Sequence, residues 1–178
     1  MLELKCQMQV IDNFLPNWLH NRVKMQLLDP MLDWHFPSFG GDNTDLAKSS
    51  FAKQPFDVVN RVNDWHRTDS LTYALDYWLE NNQDNFELDH LHRCMINFYT
   101  PSQNTGWHVD MHETGYYSLL YYVNESDGGT MFEDRKISHK ENSALFFDST
   151  ILHSPIDSTV PRRISVNWIL KGRRKHGL

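Results

Sequence analysis

The chain reads as a single α+β domain, with supporting helices first and a β core of the sandwich or jelly-roll kind after them. Three observations predict this. The 178 residues suit one domain with one sizeable core. Residues 1–85 hold two apolar patterns of helical period, whereas from residue 86 short apolar or alternating runs are separated by turn signals. The 40% hydrophobic and 22% charged residues are ordinary globular values, and a 13% aromatic share suits a β-rich domain enclosing a pocket.

The elements follow in order. Leu4 to Ile11 partly alternates and reads as a short strand. Asp12-Asn13-Phe14-Leu15-Pro16-Asn17 reads as a turn and helix start, with Trp18, Leu19, Val23, Leu27 and Leu28 on one helical face and Pro30 ending the helix. Residues 36–58 contain Pro37, Gly40-Gly41, Asp42-Asn43 and Pro55 and read as a loop, either a lid facing a substrate or surface packing. Residues 60–81 read as a second helix burying Val62, Trp65, Leu71, Leu75 and Trp78, and Asn81 to Asn85 breaks it. Strand-like runs then cover His92–Tyr99, Tyr116–Val123, Thr130–Phe132, Ser143–Phe147 and Ile164–Leu170, with turns at Pro101-Ser102, Asp127-Gly128-Gly129 and Ser154-Pro155. The division is helical support over 1–85, a β core over 86–170 and a basic tail over 171–178. The tail run Lys171-Gly172-Arg173-Arg174-Lys175 is either solvated or a docking segment for an anionic partner.

Charge and cysteine usage narrow the function. A net charge of −6 and a pI near 5.9 give no broad basic surface for nucleic acid. Cys6 and Cys94 stand far apart, in no metal-type spacing, so a reducing cytoplasm is the expected compartment. No run approaches 18 apolar residues, so no membrane span is expected.

The chemistry concentrates in the β half. In a strand, residues i and i+2 share a face, so His108 and Asp110 of His108-Val109-Asp110 point the same way. Alone the triplet is weak: ten histidines make it a common accident, and two solvent-facing polar residues would look the same. His153, which follows Ala144-Leu145-Phe146-Phe147-Asp148 and precedes Ser154-Pro155, is the best third ligand. Two imidazole nitrogens and one carboxylate oxygen make a facial set that suits Fe(II) and leaves positions open. Downstream, Pro161-Arg162-Arg163-Ile164-Ser165-Val166-Asn167-Trp168 alternates, placing Arg163, Ser165 and Asn167 on one face. An inward guanidinium with a hydroxyl two residues on binds a carboxylate at two points, and burying it without an anion would be costly. Arg162 is the alternative anchor if the register differs by one. His112 could enter the pocket or sit in solvent, Asn97 shares the parity of Tyr99, and Tyr116, Tyr117, Tyr121 and Tyr122 read as core.

Together these strings resemble the Fe(II)- and 2-oxoglutarate-dependent oxygenases, in particular the small prolyl-4-hydroxylase-like branch. The likeness runs from Val10-Ile11-Asp12-Asn13-Phe14-Leu15 to Leu170 and is most specific over 93–168. Ile96-Asn97-Phe98-Tyr99, then Thr105-Gly106-Trp107-His108-Val109-Asp110, is similar to the branch's Tyr-containing strand and metal motif. Tyr117 to Asn124, then Gly128-Gly129-Thr130-Met131-Phe132, resembles its next strand and Gly-Gly turn, while His153 and Arg163-x-Ser165 resemble the distal histidine and co-substrate strand. The resemblance implies a double-stranded β-helix, with iron on His108, Asp110 and His153, and with Tyr99, Arg163 and Ser165 on the distal carboxylate of 2-oxoglutarate. It implies consumption of O₂ with release of succinate and CO₂, hydroxylation of a peptidyl or small-molecule C–H bond with prolyl among the candidates, and ascorbate as a supporting reductant. Asp110 speaks against the halogenase-like variants, which resemble this family but replace that carboxylate. Arg163 stands where collagen-type relatives often carry Lys, which weakens proline as the substrate. The final strand lacks the second arginine of DNA-demethylating relatives. An oxygenase acting on a nucleobase, or a non-catalytic jelly-roll binding module, are the rivals. Substrate specificity is expected in residues 36–58 and 133–142.

Overall fold

The computed structural model describes residues 8–34, 51–101 and 106–175. Strand β1 (Met8–Ile11) leads into helix α1 (Asn17–Leu27), and β2 (Phe51–Asp57) and β3 (Val62–Asn63) precede helix α2 (Ser70–Asn82). The β half then runs through β4 (Phe86–Tyr99), β5 (Tyr116–Tyr122), β6 (Gly129–Phe132), β7 (Lys136–Ser138), β8 (Ser143–Asp148), β9 (His153–Ile156) and β10 (Arg163–Arg174). A seven-stranded sheet has the order β1-β8-β5-β10-β4-β2-β3, and a three-stranded sheet the order β7-β6-β9. This is the expected α+β architecture: a double-stranded β-helix of a larger and a smaller sheet, with helices supporting the larger one.

The helices sit where their apolar spacing sends them. In α2, Leu71, Ala74, Leu75 and Trp78 are buried, an i, i+3, i+4, i+7 stripe. In α1 the buried set is Leu19, His20, Val23 and Leu27. His20 is tolerated there because Tyr121 Oη lies 2.5 Å from its Nδ1 and Glu141 Oε1 lies 3.0 Å from its Nε2. These faces cover one side of the large sheet, where Ile164, Val166, Trp168 and Leu170 of β10 join Leu119 and Tyr121 of β5 in a single core. Cys94 belongs to that core and is a free, fully buried thiol.

Several expectations are corrected. Trp18 is exposed, so the buried face of α1 is rotated away from it. Residues 51–57 are strand β2, not loop; Pro55, which cannot donate a ladder hydrogen bond, sits in the register shift between Lys53 and Phe56. The expected lid over 36–50 lies outside the described residues. The second helix starts at Ser70 instead of residue 60, and Val62 lies in β3. The stretch 133–142 contains β7, and Ser154-Pro155 lies within β9, an edge of the small sheet where proline leaves no central ladder bond unmade. The basic run does not stand free as a tail, since residues 171–174 continue β10 against β4. There Arg173 pairs with Glu87, while Arg174 lies over the rings of Tyr117 and Phe146. No helix among the described residues is long and apolar enough to cross a membrane.

Candidate functional site

The other face of the large sheet is concave, and its rows can be read from the register. Directly opposed residues on neighbouring strands share a face. On β10, Arg163 lies opposite Tyr99, and Ser165 opposite Asn97 and Tyr122. Asn167 lies opposite Met95 and Leu120, and Ile169 opposite Arg93 and Ser118. The alternation expected around Arg163 is therefore the observed one. Arg163 is 3% exposed on this inward face, and Arg162 is exposed on the other.

His108 and His153 are brought together by the backbone. Each donates its amide to the other's carbonyl, at 2.8 and 2.9 Å, in an isolated antiparallel bridge. Opposed residues in such a bridge project the same way, and the two ring centroids are 4.4 Å apart. Asp110 joins them from a bend, not from a strand as its spacing suggested: its amide and that of Met111 both donate to the Ser149 carbonyl. His108, Asp110 and His153 each offer a ligand atom, all within 4.8 Å of one another.

The orientation of each group is fixed from behind. His108 Nδ1 bonds the Gly106 carbonyl at 3.1 Å and His153 Nδ1 bonds the Ile151 carbonyl at 2.9 Å. A carbonyl only accepts, so both Nδ1 atoms carry the proton and both Nε2 lone pairs remain free. His153 Nε2 lies 3.8 Å from Asp110 Oδ2. That oxygen accepts from Ser118 Oγ at 2.5 Å and Asn167 Nδ2 at 3.0 Å, which leaves Asn167 Oδ1 buried with no partner in the protein. Burial, then the neighbouring His153, push the His108 imidazole below its ordinary value, keeping it neutral. Burial alone would raise the Asp110 carboxyl, but His153, Arg93 and His108 outweigh it and hold it below the usual carboxylate range. Two imidazoles with Nδ1 tied to carbonyls and Nε2 turned inward, converging with an ionised carboxylate, are a donor set that fits a divalent first-row metal with open coordination positions.

A narrow cavity runs along the rows from His108 and His153 to Arg163, passing Ser165, Asn97 and Tyr99. At its far end from the histidines Arg163 donates to the Ile156 carbonyl, and its guanidinium lies 4.1 Å over the Tyr99 ring. Gly128 makes this possible, since a Cβ there would lie 2.6 Å from Arg163 Nη1. Here too stand Tyr122, whose hydroxyl lies 2.6 Å from Thr130 Oγ1, and His139, whose ring centroid is 4.2 Å from that of Tyr122. The arrangement offers a permanent cation, hydroxyls and a shaped recess at one end, and the metal-type donors at the other.

Every residue expected at the site thus lies along one cavity or at its metal end. Tyr122, Ser118, Arg93 and His139 were not singled out for these places, and Asn167 was expected only to share the face of Arg163 and Ser165. The first two share strand parity with Tyr116, a signal that lacked only the knowledge of which face lines the cavity. His139 carried no signal at all. Trp107, beside the motif, is 51% exposed, and His112 points to solvent.

No family model matches the sequence, and no curated protein matches it either. Solved structures do. A viral collagen prolyl hydroxylase of Paramecium bursaria chlorella virus-1, in complex with 2-oxoglutarate, superposes with a TM-score of 0.62 at 15% identity, over 97% of this chain and 100% of that one. A prolyl hydroxylase from Trichoplax adhaerens, in complex with a hypoxia-inducible-factor peptide fragment, gives 0.67 at 15% identity over 94% and 84%. HygX from Streptomyces hygroscopicus, with nickel and 2-oxoglutarate bound, gives 0.68 at 10% identity over 94% and 84%. At these identities the likeness establishes the fold: that of the 2-oxoglutarate-dependent oxygenases, prolyl hydroxylases among them.

Proposed function

We propose that this protein is an Fe(II)- and 2-oxoglutarate-dependent dioxygenase that hydroxylates a C–H bond of a peptidyl or small-molecule substrate, releasing succinate and CO₂. One observation carries the reading. A metal-type triad and a buried, aromatic-stacked arginine occupy the two ends of one cavity, on a fold whose solved examples include 2-oxoglutarate complexes.

His108, Asp110 and His153 would hold the iron. Bound there, the metal would supply chelation of the keto acid and activation of O₂. The chain's own residues account for the rest. The carbonyls of Gly106 and Ile151 fix the imidazole tautomers, and Ser118 with Asn167 aims the carboxylate. Arg163 pairs with the distal carboxylate of 2-oxoglutarate, with Tyr99 stacked on its guanidinium and Ser165 offering a hydroxyl two residues along the strand. The Ile156 carbonyl and the space over Gly128 keep that guanidinium in one place, so little ordering is left for the binding step.

The test uses purified protein reconstituted with Fe(II) and ascorbate. Calorimetry should give 2-oxoglutarate binding that Arg163→Ala weakens at least a hundredfold, while metal affinity is unchanged and Arg162→Ala behaves as wild type. Asp110→Ala should lose the metal and with it all turnover of 2-oxoglutarate. A wild-type protein that neither binds 2-oxoglutarate nor forms succinate over a panel of peptides, amino acids and nucleosides ends the reading.

A further inference from the structure

The concave row continues past the metal-type triad, and the next side chain on it is Arg93. It stands opposite Ile169 and level with Ser118, which bonds Asp110. Its side chain is 22% exposed, yet among the described residues its guanidinium makes no hydrogen bond, and Nε is fully buried without a partner there. Its one charge contact among the described residues is Asp110 Oδ1, 3.9 Å from Nη2, which is too long for a hydrogen bond. The other carboxylate of this row is unavailable: Asp57 is buried and accepts from Gln54 Nε2 and from the backbone and side chain of Asn60.

A guanidinium keeps its charge at every accessible pH, and leaving it part-buried with five unused donors is costly. Asp110 gives Arg93 only a long contact: Oδ2 is held by Ser118 and Asn167, and Oδ1 stands 3.9 Å from Nη2, so no hydrogen bond ties the guanidinium there. A divalent cation on Asp110 would weaken that long contact further, so the position beside Arg93 favours a second anion. That anion is not the distal carboxylate of a bound 2-oxoglutarate. Arg163 and Ile169 are six residues apart along β10, or about 20 Å of strand, and a five-carbon diacid held at Arg163 ends at the triad. Arg93 stands beyond it.

We propose that Arg93 binds a carboxylate of the primary substrate beside the metal, so that the molecule oxidised is itself an acid. The carboxylate belongs either to a free amino acid or similar small acid, or to an acidic side chain of a peptide. The inference rests on the function proposed above, and its test separates the two.

The probe is acetate, with acetamide as its neutral counterpart, added to protein loaded with Mn(II) and saturating 2-oxoglutarate without O₂. Paramagnetic relaxation of the probe's methyl protons reports closeness to the metal. Acetate should be relaxed and acetamide should not, and Arg93→Met should reduce the acetate effect at least tenfold with Mn(II) affinity retained. Equal relaxation of acetate and acetamide by wild type overturns the proposal, as does an unchanged acetate effect in Arg93→Met. Should Arg93→Met lose Mn(II), Arg93→Lys decides: it must hold acetate at least threefold more weakly, and equal affinity overturns the assignment. The protons of 2-oxoglutarate serve as the independent readout, since their failure to relax in wild type defeats the co-substrate reading and leaves the Arg93 result to be judged alone. Displacement of acetate by L-proline marks the carboxylate of a free amino acid, and displacement by acetyl-glutamyl-amide marks an acidic side chain.

Discussion

Acidifying the metal-free protein from pH 7.5 to 5.0 should cost about 2 kcal/mol of folding stability through His139 alone, by proton linkage. His139 is 2% exposed. Burial first, and the Arg163 guanidinium second, hold its imidazole at about 3, against an ordinary 6.5. A hydrogen bond to the Asn124 backbone favours the cation but does not offset them, and since Nε2 has no partner that bond falls to Nδ1. The folded value lies below the unfolded one, so between them the unfolded chain binds more protons. Stability from the neutral imidazole is therefore complete above pH 6.5 and drains away as the pH falls toward 3. At pH 5.0 an unfolded histidine is almost wholly protonated and the buried one is not, which gives the stated figure. Urea unfolding followed by tryptophan fluorescence at the two pH values measures it. His139→Asn keeps a donor toward Asn124 and does not titrate. His108, whose pKa is also depressed, acts alike in both proteins, so the difference between them isolates His139. A variant that loses as much stability on acidification as wild type would refute the argument from a neutral buried imidazole.

Two further outcomes bear on the site. Gly128→Ala places a Cβ 2.6 Å from Arg163 Nη1 and 2.9 Å from the Ile156 carbonyl, so the guanidinium must leave its recess. Calorimetry should then show 2-oxoglutarate affinity down tenfold or more, about 1.4 kcal/mol, with metal affinity intact. Ser118→Ala removes the 2.5 Å hydrogen bond to Asp110 and should weaken metal binding by roughly 10- to 100-fold in equilibrium dialysis without unfolding the protein. An unchanged affinity would mean that Asn167 alone suffices to aim the carboxylate.

The parts of the fold that were legible in the sequence are those where period and burial agree. Helix α2 repeats its apolar residues over two turns, and β5, β8 and β10 alternate or run apolar because each lies inside the large sheet. The misread stretches are those where a local breaker signal met a non-local partner. Pro55 in β2 and Pro155 in β9 look like turn residues until a bulge and an edge are known to receive them. Lys171 to Arg174 look like a solvated tail because charge says nothing of Glu87, Tyr117 and Phe146, which receive them.

The site divides in the same way. His108 and Arg163 stood out because one lies in a motif and the other in an alternating strand, but strand parity only halves the possibilities. It grouped Tyr116, Ser118 and Tyr122 against Tyr117, Leu119 and Tyr121 without saying which set meets the cavity. The choice is made by packing: the second set buries against Phe14, Phe86 and Phe146 in the core beneath the helices, which turns the first toward the cavity. Arg93 falls to the same rule. Counting back by twos from Tyr99 through Asn97 and Met95 reaches it, just before the bulge at His92 interrupts the count. What the count cannot supply is a reason to stop there. That reason is Asp110, on another segment, which brings a carboxylate of the metal-type triad beside a guanidinium with no hydrogen-bond partner among the described residues. An arginine in a strand is ordinary, and it points to an acidic substrate only when the described residues around it leave it a single long contact to a carboxylate of the triad.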